Sequence, residues 1–194
     1  MSTIPAEVTP AVLPKRRQTV AGAAFAAASS AMLVVLLLGN YLEIRSASEK
    51  FFDGVSMPLA QPNVMFWGLG LSVLSIQWAV WAIARDERSQ AYWAIGITAL
   101  LGLSFLNSTW YLMSQSDLAV GVQPEAGATF AVVGAHVAMV LVGLLMVAVM
   151  AFRTFGGQFS SRYPDGWSAA ALYWHPTGGV YVLVGCAVYV TEWG

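Results

Sequence analysis

The chain has 194 residues, of which 58% are hydrophobic and 10% are charged, and its formal net charge is −1. Soluble domains carry about 25% charged residues, so this composition argues against a soluble globular protein. The near-neutral charge, with no basic run interleaved with aromatics, argues against a nucleic-acid partner.

Five long apolar stretches occupy nearly the whole chain: Ala21–Tyr41, Val64–Ala84, Ala91–Met113, Ala128–Phe152 and Trp167–Val190. Each has about the 20 residues that a helix needs to cross a bilayer, and none alternates as a barrel strand would. The sequence therefore predicts an all-α, polytopic integral membrane protein with five transmembrane helices. Residues 1–18 are expected to form a mobile cytoplasmic tail, and residues 19–194 the transmembrane domain.

The basic residues predict the orientation of this bundle. With the N-terminus inside, only Arg45 and Lys50 fall outside, because the other basic residues are then cytoplasmic: Lys15, Arg16, Arg17, Arg85, Arg88, Arg153 and Arg162. The positive-inside rule thus places the N-terminus in the cytoplasm and the C-terminus outside. The short segment Arg85–Gln90 makes spans two and three an antiparallel hairpin.

Small residues fill the first half of span one, from Ala21 to Ala31. Small side chains let membrane helices approach closely, so we expect this half to be buried against protein and Met32–Leu38 to face lipid. Further small residues in spans four and five are candidate packing faces: Gly134, Ala138, Gly143, Gly179 and Gly185.

Two histidines are the only ionisable residues predicted deep within a span, His136 in span four and His175 in span five. Counted from the predicted ends of the two spans, their depths differ by roughly 10 Å. This separation is too large for two ligands of one metal ion, so we expect no shared metal or haem. Each histidine is instead expected to contact a neighbouring helix or a lipid headgroup.

The candidate lipid or interhelical polar contacts are His136, His175, Gln77, Trp78, Asn107 and Trp174. Interhelical hydrogen bonds in membranes contribute about 0.6 kcal/mol each. A transport pathway would need a hydrated polar path, for which only scattered Ser, Thr and Asn are present. Pro176, followed by Gly178 and Gly179, predicts a local kink in span five, with freed carbonyls that need a partner.

The ordered motifs of the chain resemble the cytochrome c oxidase subunit 3 family, subunit III of haem-copper oxidases. The strongest is Gly166-Trp-Ser-Ala-Ala-Ala-Leu-Tyr-Trp-His175, which is similar to the opening of the family's last helix. Three further segments resemble the family, and the four segments occur along the chain in the family's order: Tyr41-Leu-Glu-Ile-Arg45, the stretch from Asn63 through Leu74-Ser-Ile-Gln-Trp78-Ala79, and Gly134-Ala-His136. The short forms of this family have five spans and an external C-terminus, as the charge pattern predicts here.

The departures from the family pattern remove most of its intramembrane ionisable groups. A membrane-embedded Glu of the family corresponds to Ser30, a second His of span four to Met139, a Glu of the last helix to Ser168, and a His of span two to Gln77. The resemblance links such groups to bound phospholipid and to sustained proton uptake by the catalytic subunit. The chain is therefore identified as a divergent member.

The resemblance implies a non-catalytic accessory subunit of a bacterial haem-copper oxidase, in aerobic respiratory electron transport, that stabilises the catalytic subunit and binds lipid. It implies no cofactor in this chain, with haem and copper in partner subunits. The expected partners are catalytic subunit I, other respiratory subunits and phospholipid, in the bacterial inner membrane. The alternative is a structural or assembly subunit of another membrane complex, for example one associated with nitric oxide reductase. A small independent transporter is a third alternative.

Overall fold

A computed structural model describes residues 15–48, 60–116, 118, 120–121, 124–158 and 164–190. Over these residues the ordered elements are helical, which confirms the predicted all-α class. They are α1 (Lys15–Ala47), α2 (Ala60–Ala84), α3 (Arg88–Gln115), α4 (Pro124–Phe155), α5 (Asp165–Val184) and a π-helix (Gly185–Val190).

The first four predicted spans each lie inside one helix, and the fifth, Trp167–Val190, covers α5 and the π-helix. Each α-helix begins earlier in the chain than the predicted span. α1 begins at Lys15, within the segment 1–18 predicted as a tail. The rest of that segment, residues 1–14, lies outside the described residues, as do Lys50 and Arg162 from the charge argument.

Helix α1 lies at the periphery of the bundle, and it packs against α4 and α5. Its buried residues form one narrow stripe at helical spacing: Ala23, Ala27, Val34, Leu38 and Tyr41. Within this chain the Ala-rich half is buried along that stripe only, because only one side of α1 contacts other helices of the chain. Burial of its remaining surface against another protein stays a prediction. Phe25 is 75% exposed in the same half.

Helices α2 and α3 form the predicted antiparallel hairpin. The Ser75 and Thr98 hydroxyls lie 2.7 Å apart across it, and the Trp78 indole N–H donates to Gln90 Oε1 at 3.1 Å near the turn. Asp86 closes the turn in the left-handed region, with φ 58°. This conformation lets the Glu87 amide donate to the Ala82 carbonyl at 2.9 Å, which closes the end of α2.

Helix α5 is the centre of the bundle, since it packs against α1, α2 and α4. Its buried residues lie on several sides of the helix, and its two largest, Trp167 and Trp174, are fully buried. The helix continues through Pro176 and passes directly into the π-helix. Burial on several sides distinguishes α5 from α1, which buries one stripe.

Four of the helices, α1 to α4, contain segments long and apolar enough to cross a membrane. Helix α5 is not among them. Its 20 residues have the length of a bilayer span, about 30 Å, but they include polar and small side chains. The described part of the chain is thus a multi-pass membrane protein, with four helices that are each long and apolar enough to cross a bilayer.

Candidate functional site

The polar side chains of the bundle converge on α5, and Trp174 is the central one. Its indole N–H donates to Ser72 Oγ on α2 at 2.9 Å, and that hydroxyl donates to the Leu69 carbonyl at 2.6 Å. A buried indole N–H that lacks an acceptor is costly, so Ser72 both binds and orients the ring. Trp174, a predicted contact residue, thereby joins α5 to α2.

Two glycines make room for the Trp174 ring between α3 and α4. A Cβ on Gly143 would lie 2.6 Å from Cε3 of Trp174, and a Cβ on Gly102 would lie 2.9 Å from its Cη2. Real Cβ atoms do not approach so closely, so a side chain at Gly143 would displace the Trp174 ring, and one at Gly102 would displace both that ring and Leu144 Cδ2, which would lie 2.8 Å away. Gly143 belongs to the predicted small-residue set, whereas sequence reasoning missed Gly102.

His136 is fully enclosed by three helices. Its Nε2 lies 2.9 Å from the Thr177 carbonyl oxygen of α5, which it serves as an N–H donor. Its ring packs edge-on against Phe105 of α3, with centroids 5.4 Å apart, and obliquely against Tyr181 of α5, at 5.6 Å. His136 therefore connects α4 to α5 at a point just after Pro176.

His175 lies two residues before Thr177, the residue of α5 that His136 contacts. His136 is buried, whereas His175 is half-buried on α5. The predicted difference in depth between the two histidines stays a prediction.

Tyr181 is a contact residue that sequence reasoning missed. Its hydroxyl donates to the Pro62 carbonyl at the start of α2, at 3.0 Å. Its ring also packs edge-on against Phe105, with centroids 5.1 Å apart. A tyrosine inside an apolar stretch is a usable signal, because a buried phenol needs an acceptor, but the sequence does not identify that acceptor.

The remaining predicted residues lie on exposed surfaces. Gln77 on α2 and Asn107 on α3 are exposed, so both lie on the outer surface of the bundle. Trp78 is 37% exposed, and its bond to Gln90 lies within the α2–α3 hairpin. The structure thus brings His136 and Trp174 into the bundle and leaves Gln77, Trp78 and Asn107 at its surface.

Further contacts join α5 to α1 and α4 along its length. The Trp167 indole donates to Thr154 Oγ1 on α4 at 2.8 Å, and the Tyr173 hydroxyl lies 3.1 Å from Ser30 Oγ on α1. At the far end, Arg45 of α1 donates to the Ala187 carbonyl of the π-helix at 2.8 Å. Helix α5 and the π-helix therefore extend from the end of α4 to the end of α1.

This arrangement holds helices together through hydrogen bonds and ring contacts. Within the described residues, no three His, Cys, Asp or Glu side chains are close enough to hold a metal ion. The Nε2–H of His136 donates to a backbone carbonyl, that of Thr177. The side chains of this core are thus arranged for helix packing, with α5 as the shared element.

Comparison with known proteins gives one consistent result. Residues 23–194 match the family model of cytochrome c oxidase subunit III. Proteins named cytochrome c oxidase subunit 3 from Cyprinus carpio and Carassius auratus are each 32% identical to the chain over 145 residues, which are 73% of this chain and 52% of the relative. The protein of the same name from Osphranter robustus is 32% identical over 143 residues, 72% of this chain and 51% of its own length. The chain spans about half the length of the curated relatives it matches.

Proposed function

Since the chain belongs to the cytochrome c oxidase subunit III family, we propose that it is a non-catalytic accessory subunit of a bacterial haem-copper oxidase. In this role it stabilises catalytic subunit I, while haem and copper are held by partner subunits. The relatives named above are all cytochrome c oxidase subunits, and they lend no support to the alternative of a nitric oxide reductase-associated subunit.

The main support for this proposal is that residues of the Tyr-Trp-His segment form contacts with two other helices of the bundle. Tyr173 contacts Ser30 of α1 and Trp174 donates to Ser72 of α2, so the segment that most resembles the family joins helices from across the chain. These contacts hold α1, α2 and α5 together, as is needed in a subunit that buttresses a larger membrane neighbour.

The proposed topology has five spans, with the N-terminus in the cytoplasm and the C-terminus outside. Helix α5 serves as the fifth span, because its contacts run from Thr154 near the end of α4 to Arg45 near the end of α1. Being enclosed by other helices, it meets little lipid and tolerates a less apolar sequence. The distribution of basic residues supports the orientation in the bacterial inner membrane.

The exposed side of α1 is the proposed contact surface for the catalytic subunit. It presents small residues beyond the buried stripe, including Ala24, Ala28 and Ser29, among exposed bulky ones. Small residues allow a neighbouring helix to approach closely, which is how membrane helices associate without a hydrophobic driving force. Phospholipid covers the other exposed apolar surfaces, such as Leu100 and Leu103 of α3.

Co-purification tests the proposal. The full chain, tagged and expressed in its own host, is extracted in mild detergent and analysed for haem absorbance and for partner subunits by mass spectrometry. We expect haem and an oxidase catalytic subunit in the same complex. A haem-free homo-oligomer, or substrate flux by this chain alone in vesicles, would overturn the assignment.

A further inference from the structure

One exposed side of α2 carries a seven-residue repeat, which we call the α2 heptad face. Its residues follow one another at alternating intervals of three and four positions, and all of them are exposed: Trp67, Gly70, Leu74, Gln77, Trp81 and Ala84. One position of the repeat is always bulky, and the other is a small residue or an amide. Helices that pair in a left-handed crossing contact each other through residues at this spacing.

Gln77 places an amide on the α2 heptad face at membrane depth. Helix α2 runs from Ala60 to Ala84, so its middle lies at Ser72, and Gln77 is about 7.5 Å from that middle along the axis. This position lies within a hydrocarbon layer about 30 Å thick. Within the part of the chain that the structure describes, no group forms a hydrogen bond with the Gln77 side chain. An unpaired amide is costly in hydrocarbon, so whatever covers Gln77 has to offer a donor or an acceptor, which an acyl chain does not.

Gly70 and Ala84 let another helix come close on both sides of Gln77. A Cβ on Gly70 would meet nothing within 4 Å in the chain, so packing within the chain does not require a glycine there. Glycine weakens a helix relative to alanine, whereas small residues at a membrane-helix interface allow close approach of the backbones. The α2 heptad face is thus shaped for a neighbouring helix.

The other exposed amide in the spans, that of Asn107 on α3, lies in a different setting. Leu103 and Trp110, which precede and follow it on the same side of α3, are 60% and 78% exposed. These bulky side chains would hold a neighbouring helix away from the shorter Asn107 side chain. Asn107 therefore provides a comparison for Gln77.

We propose that the α2 heptad face binds the same face of a second copy of this chain. Copies of one chain enter a membrane in one orientation, so their α2 helices are parallel and the two Gln77 side chains meet at equal depth. An amide has a carbonyl acceptor and N–H donors, so two of them exchange hydrogen bonds across a two-fold axis. A second copy supplies the matching polar group by symmetry, and one polar position in a heptad repeat fixes the register of the pair.

This dimer goes beyond the function proposed above, and it uses a different helix from the contact surface for the catalytic subunit. Helix α2 packs against α3, α5 and the π-helix, whereas α1 packs against α4 and α5. One chain can therefore contact the catalytic subunit through α1 and a second copy of itself through α2.

Cysteine cross-linking of the full chain in the membranes of its own host tests the dimer. In a Cys186→Ser background, Leu74→Cys should form an intermolecular disulfide on oxidation, because equivalent positions of the two α2 helices meet. Leu100→Cys is the matched control, since Leu100 is 69% exposed on α3. A product of twice the chain's mass from Leu74→Cys alone is the expected result. Equal cross-linking at the two positions, no product at Leu74→Cys, or a product of a different mass would overturn the proposal.

Two further substitutions test the amide and the close approach separately. Energy transfer between fluorescent fusions of the full chain in the host membrane measures the association. Gln77→Leu should weaken it by about fivefold, as expected for the loss of two interhelical hydrogen bonds, whereas Asn107→Leu should leave it unchanged. Gly70→Leu should weaken it further by separating the helices. Gly96→Leu on α3 is its control, because Gly96 is exposed and a Cβ there also meets nothing within 4 Å.

Unchanged association in Gln77→Leu or in Gly70→Leu would contradict the proposed dimer. Haem co-purification is a separate measurement on the same fusions. Failure of the dimer and failure of the oxidase assignment are therefore distinguishable.

Discussion

Gly143 and Trp174 form a matched pair at the centre of the bundle, because the indole of Trp174 occupies the space that any side chain at position 143 would need. The Cβ of an alanine at this position would lie 2.6 Å from Cε3 and 2.8 Å from Cζ3 of the ring. Since Trp174 is also held by Ser72, it cannot move away without losing a hydrogen bond.

We therefore expect Gly143→Ala to destabilise the chain by about 1–3 kcal/mol, the usual cost of overpacking a filled core. Gly134→Ala, on the same helix, is the matched control, since a Cβ there meets nothing within 4 Å. The control should be neutral or slightly stabilising, because alanine favours helix over glycine. Thermal unfolding in detergent measures both variants, and equal midpoints would contradict the prediction.

Ser72→Ala should lower the free energy of unfolding by about 1 kcal/mol, because it removes the acceptor of the buried Trp174 N–H. Ser104→Ala on α3 is the comparison, since Ser104 is exposed. In a Trp174→Phe background, which has no indole N–H, the effect of Ser72→Ala should shrink. If the two substitutions prove additive, the bond contributes nothing to stability.

His136→Phe should destabilise the chain by about 1 kcal/mol, because it preserves a ring against Phe105 and Tyr181 but removes the donor to the Thr177 carbonyl. His175→Phe should have little effect, since His175 is half-exposed. Unfolding in detergent compares the free energies of unfolding of the two variants.

His136→Phe and His175→Phe also test the proposal that the partner subunits, and not this chain, hold haem. If haem is held by partner subunits, complexes assembled with His136→Phe or with His175→Phe should keep the haem absorbance of the wild type. Loss of a haem signal from an otherwise intact complex would mean that one of these histidines is a ligand.

Ala28→Trp should weaken association with the catalytic subunit by tenfold or more, a loss of about 1.4 kcal/mol, because it places bulk on the exposed side of α1. Leu103→Trp is the control, as Leu103 is 60% exposed on α3, a surface proposed to face lipid. The ratio of co-purified haem to tagged chain measures the association of both variants with the catalytic subunit. Equal ratios for the two variants would contradict the proposal that α1 is the contact surface.

Much of the fold was predictable from composition and length. A bilayer demands about 20 apolar residues in a helix, so the apolar stretches predicted the positions of the long helices that the described residues form. The short Arg85–Gln90 segment likewise predicted the α2–α3 hairpin, since two helices joined by so few residues must run antiparallel.

The arrangement of the helices was less predictable, and α1 shows why. Apolar and small residues occur on every side of α1, so its sequence does not identify the side that packs against other helices. The prediction followed the concentration of alanines, whereas the structure buries only the stripe that meets α4 and α5. Small size permits close packing on any face, so it does not identify the face that packs within the chain.

The amino-acid sequence was sufficient to predict a helical membrane protein that is similar to one family of oxidase subunits. The packing of the helices was needed to show that α5 is the central helix and which residues His136, Trp174 and Tyr181 bind. The partners in these contacts are 41, 102 and 119 positions apart along the chain. Local patterns carry no information about such pairs, because each bond depends on how the intervening helices pack.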